Sequence, residues 1–237
     1  MLQKNINICL SPDLIHLHTL QNTAVVVTDI FRATSCMVTG LAHKIESITP
    51  VATVQECADL QANGYIAAAE RDAQKVPGFE LDNSPFSYMD PALQGKKIAM
   101  TTTNGTLSIS KVKSEAQEVL IGAFLNLNTL AKYLIDKSLN VIVVCAGWKG
   151  SPCLEDTLFA GALTNALSRH FILADDSATM AHRLYLQAQS DLKGYLQEAS
   201  HLKRLGGLGI EKDIDFCLTE SLYDVLPILI NNKLVLK

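Results

Sequence analysis

What this chain lacks narrows its chemistry before any motif is read. No apolar run approaches the roughly 20 residues that cross a bilayer. The opening MLQKNINI has neither a long apolar core nor a small-residue cleavage pattern, so no secretory signal is expected either. The six cysteines, at 9, 36, 57, 145, 153 and 217, form no C-x-x-C pair, and the histidines fall at no zinc-like spacing. Reduced, mostly buried thiols in a cytoplasmic protein are the expectation. A net charge of only −4 supplies no broad electropositive surface for nucleic acid or anionic lipid. Small anions stay open, because a few local cations suffice for them. A Walker A loop is absent, and Gly206-Gly207-Leu208-Gly209 has neither the spacing nor the preceding strand of a dinucleotide fingerprint, so it reads as a turn.

What is present is an ordinary globular composition, 48% hydrophobic over 237 residues, enough for a substantial core. Short β-rich runs at 6–10, 24–28, 47–51, 65–69, 97–101, 119–123 and 141–145 alternate with helical patterns at 33–43, 53–63, 126–136 and 154–170. That rhythm predicts an α/β fold, three-layer α/β/α, with a largely parallel or mixed sheet. Beyond 170 the pattern becomes one long helical stretch, 177–203, and then a β-like tail, 225–237. Residues 1–237 read as a single unit, with a possible boundary between two α/β lobes near 105–125.

The polar residues fall at the ends of the predicted strands. Asp29 and Arg32 follow one, Glu70 and Arg71 another, and the run Thr101-Thr102-Thr103-Asn104-Gly105-Thr106 a third. Asn126 follows a fourth, and Gly147 to Asp156 a fifth. In parallel α/β folds ligands bind beyond the carboxyl ends of strands, where helix N-termini converge, so five polar ends predict one shared pocket. Each element has a plainer reading beside this one. Asp29 is also a fitting helix cap, Arg32 a surface ion-pair partner, and Glu70-Arg71 a solvated turn. Glu155 and Asp156 suit the first turn of a helix through its dipole alone. Asp29 lacks the D-x-D of an aspartyl-phosphate nucleophile, since position 31 is Phe31, and metal ligand is its better functional role.

Assembled, VVVTDIFRATS, PVATVQECADL, AAAERD, GFELDNSP, TTTNGT, IGAFLN, VCAGWKGSPCLEDTLFAGAL and, more weakly, LGIEKDIDFC resemble the 2-phosphosulfolactate phosphatase family in order over nearly the whole chain. The resemblance raises Asn83 and Ser84 above turn punctuation. It implies a Mg²⁺-dependent phosphatase that releases phosphate from 2-phosphosulfolactate, a step toward coenzyme M in organisms that make it, and a homo-oligomer. On that footing Mg²⁺ is expected on some subset of Asp29, Glu70, Glu155 and Asp156. Asp29, Arg32, Glu70 and Arg71 form the expected catalytic set. Asn83, Ser84, Thr102, Thr103, Asn104, Gly105, Thr106, Asn126 and Gly147 are expected to bind a small anionic phosphorylated substrate. Leu81-Asp82 departs from the family pattern and bears on substrate choice. The alternatives are a phosphatase of the same family acting on another small phospho-acid, and a non-catalytic sensor of an anionic metabolite. A sensor would be favoured by loss of the acids, which are retained.

Overall fold

The computed structural model describes residues 3–71, 74–137, 139–206 and 209–237, without the side chains of Arg71 and Gln74. Among them lie eleven strands: β1 (Lys4–Cys9), β2 (Thr23–Thr28), β3 (Ser47–Pro50), β4 (Ile66–Arg71), β5 (Gln74–Lys75), β6 (Lys97–Thr101), β7 (Glu118–Ile121), β8 (Asn140–Cys145), β9 (Phe171–Leu173), β10 (Pro227–Ile230) and β11 (Lys233–Leu236). The α-helices are α1 (Ala33–Ala42), α2 (Val54–Ala62), α3 (Gly105–Val112), α4 (Leu127–Lys137), α5 (Leu154–Leu167), α6 (Asp176–Ala188), α7 (Leu192–Leu196), α8 (Ser200–Leu205) and α9 (Glu211–Cys217). The class is α/β with helices on both sides of a mixed sheet.

The sheet order is β5-β4-β6-β3-β11-β10-β7-β2-β8-β1-β9. It comprises two parallel blocks, β4-β6-β3 and β7-β2-β8-β1-β9, joined by the antiparallel hairpin β10-β11. The hairpin meets each block through one residue pair, Ile228 with Leu120 and Leu234 with Ile48, both antiparallel. Three reversals of direction therefore separate β3 from β7, and the two blocks run in opposite senses. Residues that follow β2 and β6 nevertheless touch, because a Cβ built on Gly105 would lie 2.9 Å from Asp29 Oδ2. The carboxyl ends of the two blocks thus converge on one place instead of lining one edge of a single parallel sheet. Residues 105–125 carry α3 and β7 and lead the chain from one block to the other.

Local chemistry accounts for the elements. Every residue of β2, TAVVVT, is buried, as suits a strand covered on both faces. Helix α1 is buried from Ala33 to Leu41 although it carries three hydroxyl residues. Those hydroxyls bond backbone carbonyls of the same segment, Thr34 to Asp29, Ser35 to Ile30 and Thr39 to Ser35, so no polar group is stranded. The helical stretch predicted at 177–203 is divided: Asp191 accepts the Gly194 N–H at 2.8 Å and caps α7, which ends the run that forms α6. The tail becomes a hairpin because Asn231 and Asn232 both take positive φ, 50° and 62°, the backbone of a two-residue turn matched to strand twist. All six cysteines are free and buried. Among the described residues no helix is long and apolar enough to cross a membrane.

Candidate active site

The convergence of the two blocks leaves a cavity of about 220 Å³ whose lining includes Asp29, Arg32, Glu70, Asn83, Thr102, Thr103 and Asn104. Phe31, Trp148, His201, Arg204 and Leu205 complete it.

Asp29 stands immediately past β2. Its N–H donates to Thr34 Oγ1 at 3.0 Å, and its Oδ1 accepts the Ala33 N–H at 3.4 Å. Gly105 lets α3 begin against the other carboxylate oxygen; a side chain there would also strike Ala33 Cβ at 2.8 Å. Burial pushes the Asp29 carboxyl up to about 6; His201 and the Ala33 N–H draw it back, and Glu155 and Glu70 add to the rise. Glu70, half-buried at the end of β4, thus belongs to the same electrostatic cluster.

Glu155 and Asp156 open α5 behind the cavity, and both are buried. Asp156 ties two strand ends together: Oδ1 accepts the Ile30 N–H at 2.8 Å and Oδ2 the Gly147 N–H at 2.9 Å. Its carboxyl is raised well above the ordinary range by burial, then by Glu155 and Asp29, against the pull of those two N–H groups. Glu155 Oε1 lies 2.5 Å from His201 Nδ1, while Glu155 Oε2 is buried with no hydrogen-bond partner among the described residues. Cys153 Sγ is 3.8 Å from the same ring nitrogen, but burial and the neighbouring acids push its thiol up, so it is no thiolate nucleophile.

Arg32 is buried and paired to Asp213 Oδ2. The second oxygen of Asp213 accepts the Ser84 hydroxyl at 3.0 Å. Asn83 beside it is buried, and its Oδ1 has no partner among the described residues. In the TTTNGT turn Thr102 and Thr106 bond reciprocally, N–H to hydroxyl at 3.2 Å each way. Asn104 stands at the N-cap of α3 without a capping side-chain bond; its Oδ1 instead accepts the Lys149 N–H at 3.3 Å. That turn is therefore more than a helix cap, and Thr103 and Asn104 face the cavity half-buried.

Of the residues expected to bind substrate, Asn83, Thr102, Thr103 and Asn104 reach the cavity wall. Gly105 and Thr106 support it, Ser84 braces Asp213, and Gly147 is held by Asp156. Gly147 has φ +60°, and a Cβ there would meet Ser151 O at 2.3 Å. Asn126 departs from the expectation: it is fully buried and spends its amide on structure. Its Oδ1 accepts the Ala123 N–H, and its Nδ2 donates to Ile121 O and Val225 O, tying β7 to the chain before β10. The Arg71 side chain lies outside the described residues. Reading motifs along the chain missed His201, Arg204 and Asp213. Asp213 had a signal, because it stands in LGIEKDIDFC; the other two had none, since Glu155 and His201 are 46 positions apart.

Comparison with known proteins finds relatives along nearly the whole chain. The profile of the family described as 2-phosphosulpholactate phosphatase matches residues 9–232. A probable 2-phosphosulfolactate phosphatase of Thermotoga maritima is 41% identical over 215 residues, spanning 91% of this chain and 92% of that protein. One from Caldanaerobacter subterraneus is 38% identical over 217 residues, 90% of each chain. One from Clostridium beijerinckii is 34% identical over 229 residues, 94% and 95%.

Proposed function

The chain belongs to the 2-phosphosulfolactate phosphatase family, and from that premise we propose that it hydrolyses 2-phosphosulfolactate to sulfolactate and phosphate with Mg²⁺ bound. Coenzyme M synthesis is the route such a step would serve. The observation that carries this reading is the meeting, on one cavity, of clustered carboxylates with a buried arginine and the start of α3.

The residues fit a divalent cation. Glu155 and Glu70 raise the cost of ionising Asp29, and Glu155 Oε2 is a buried oxygen without a donor among the described residues. A subset of Asp29, Glu70 and Glu155 would hold the ion together with water, as Mg²⁺ is ordinarily held, with Asp156 positioning the two loops around it. Bound there, Mg²⁺ supplies charge for a phosphoryl oxygen and makes a coordinated water easier to deprotonate.

The chain's own groups do the rest. Arg32, held ionised and oriented by Asp213, grips phosphoryl oxygens through its planar fork, and Thr102, Thr103 and Asn104 supply further polar contacts. Asp29 orients the attacking water and takes its proton. The water oxygen bonds to phosphorus as the ester P–O bond breaks, and the leaving alkoxide takes a proton from His201. His201 suits that role because Glu155 occupies Nδ1 and leaves Nε2 for substrate.

A phosphate-release assay across 2-phosphosulfolactate, phospholactate, phosphoglycolate and phosphoglycerate, with chelator and with Mg²⁺ restored, tests the reading. Turnover should be highest with phosphosulfolactate, vanish on chelation and return with Mg²⁺. Undiminished activity in exhaustively chelated protein, or no phosphate release from phosphosulfolactate, overturns it.

A further inference from the structure

Two guanidinium groups line the cavity among the described residues, Arg32 and Arg204, and they are in different states. Arg32 is buried and answered by Asp213, so its charge is already balanced before substrate arrives. Arg204, in the last turn of α8, has no carboxylate within ion-pair distance among the described residues. Its Cζ instead lies 3.8 Å from the centroid of the Trp148 ring. Face-on stacking leaves the N–H groups at the guanidinium edge available for a planar, two-point contact with an oxyanion.

A second cation reaches the same ring: Lys149 Nζ is 5.3 Å from its centroid. Two like charges held against one ring favour the approach of an anion. The Trp148 backbone is fixed, its amide N–H donating to Ser151 O at 2.8 Å and its carbonyl accepting the Ser151 N–H at 2.9 Å, and the His201 ring packs 5.7 Å from the indole. The platform thus has partners besides Arg204, whose guanidinium is paired with no carboxylate among the described residues. A compact phosphate monoester needs the phosphate grip alone, whereas a substrate with a second strong acid group needs a second cation.

We infer that Arg204, laid on Trp148, is the specificity residue that receives the second acid group of the substrate, the sulfonate on the phosphatase reading above, on which the inference rests. The arrangement also explains how a chain of net charge −4 accepts a ligand of about four negative charges: cation, arginine fork and stacked arginine each meet one part of it.

The test compares kcat/KM for 2-phosphosulfolactate and 2-phospholactate in the wild type and in Arg204→Gln, with sulfolactate affinity measured by calorimetry on both proteins. Arg204 is exposed, so the variant is expected to fold, and its melting temperature checks that it does. The preference for the sulfonated substrate should fall by about 10- to 100-fold, the scale of a charged hydrogen-bonded contact, and sulfolactate should bind more weakly. Arg204→Lys, which keeps charge but loses the fork and the stack, should recover little of the preference. An unchanged substrate ratio with unchanged sulfolactate affinity overturns the inference. Sulfolactate binding that depends on Arg204 in a protein releasing no phosphate from phosphosulfolactate would instead overturn the phosphatase reading and uphold the subsite.

Discussion

Asp29 and Arg32 leave the same loop three residues apart, yet the two sides of the cavity they serve handle charge in opposite ways. Arg32 enters a closed set: Asp213 pairs with it and Ser84 satisfies the other oxygen of Asp213. Asp29 enters an open one, where Glu155 and Glu70 add like charge and one oxygen of Glu155 has no donor among the described residues. A buried ion pair that is fully bonded holds its surroundings in place even where it adds little net stability. A buried cluster of like charge costs stability unless a counter-charge compensates it, the part proposed above for Mg²⁺. The closed set and the open one thus begin three positions apart in sequence.

The sharpest way to break that contrast is Asp213→Asn, which leaves the Arg32 charge buried and unpaired. Stability should fall by about 3 to 5 kcal/mol, the cost of stranding one member of a buried pair, read as a shift in the urea midpoint. A change of a few tenths would mean that Arg32 is solvated and that the closed set is no set.

Asp29→Asn should behave in the opposite sense. An acid whose folded pKa exceeds its unfolded value binds its proton more tightly when folded, so ionising it costs stability. For Asp29, raised from 3.8 to about 6, the metal-free wild type should lose stability as pH climbs through that window and stay lower above it, by on the order of 3 kcal/mol. The Asn variant should lack this loss, matching the wild type near pH 3 and exceeding it at pH 7, while its turnover with Mg²⁺ falls about 10²-fold or more. A variant that is less stable at pH 7 and fully active would reduce Asp29 to a helix cap.

The smallest effect sharpens the closed side. Ser84→Ala removes one hydrogen bond to an ionised Asp213, and about 1 to 3 kcal/mol of stability should go with it. In the Asp213→Asn background the same substitution should cost less, and a double-mutant cycle measures the difference. Strict additivity would show that Ser84 acts elsewhere.

The elements that depend on neighbours in sequence were legible in it. All seven strands expected from apolar runs are present, and the helical stretches expected at 33–43, 53–63, 126–136 and 154–170 match α1, α2, α4 and α5 to within a few residues, since periodicity and capping operate over a single turn or pleat. Asp29, Glu70 and the TTTNGT turn were legible too, because a polar residue that ends a buried strand must stand at the strand's end. Asn126 shows the limit of that rule: the same position served the backbone, and the choice between ligand and structure depends on carbonyls at 121 and 225. The partner of Arg32 was illegible as well, since Asp213 lies 181 positions away.

Pattern along the chain therefore settled the strands, the helices and the kinds of charge available at each strand end. Packing settled which charges meet. The two blocks run in opposite senses because a C-terminal hairpin joins them, and nothing at positions 24–106 encodes where residues 227–236 will insert. Once inserted, they bring two sets of strand ends face to face and bring α8 and α9 close enough to add His201, Arg204 and Asp213. Periodicity is a short-range property of covalent geometry, whereas ion pairing falls off with distance in space and is indifferent to distance in sequence.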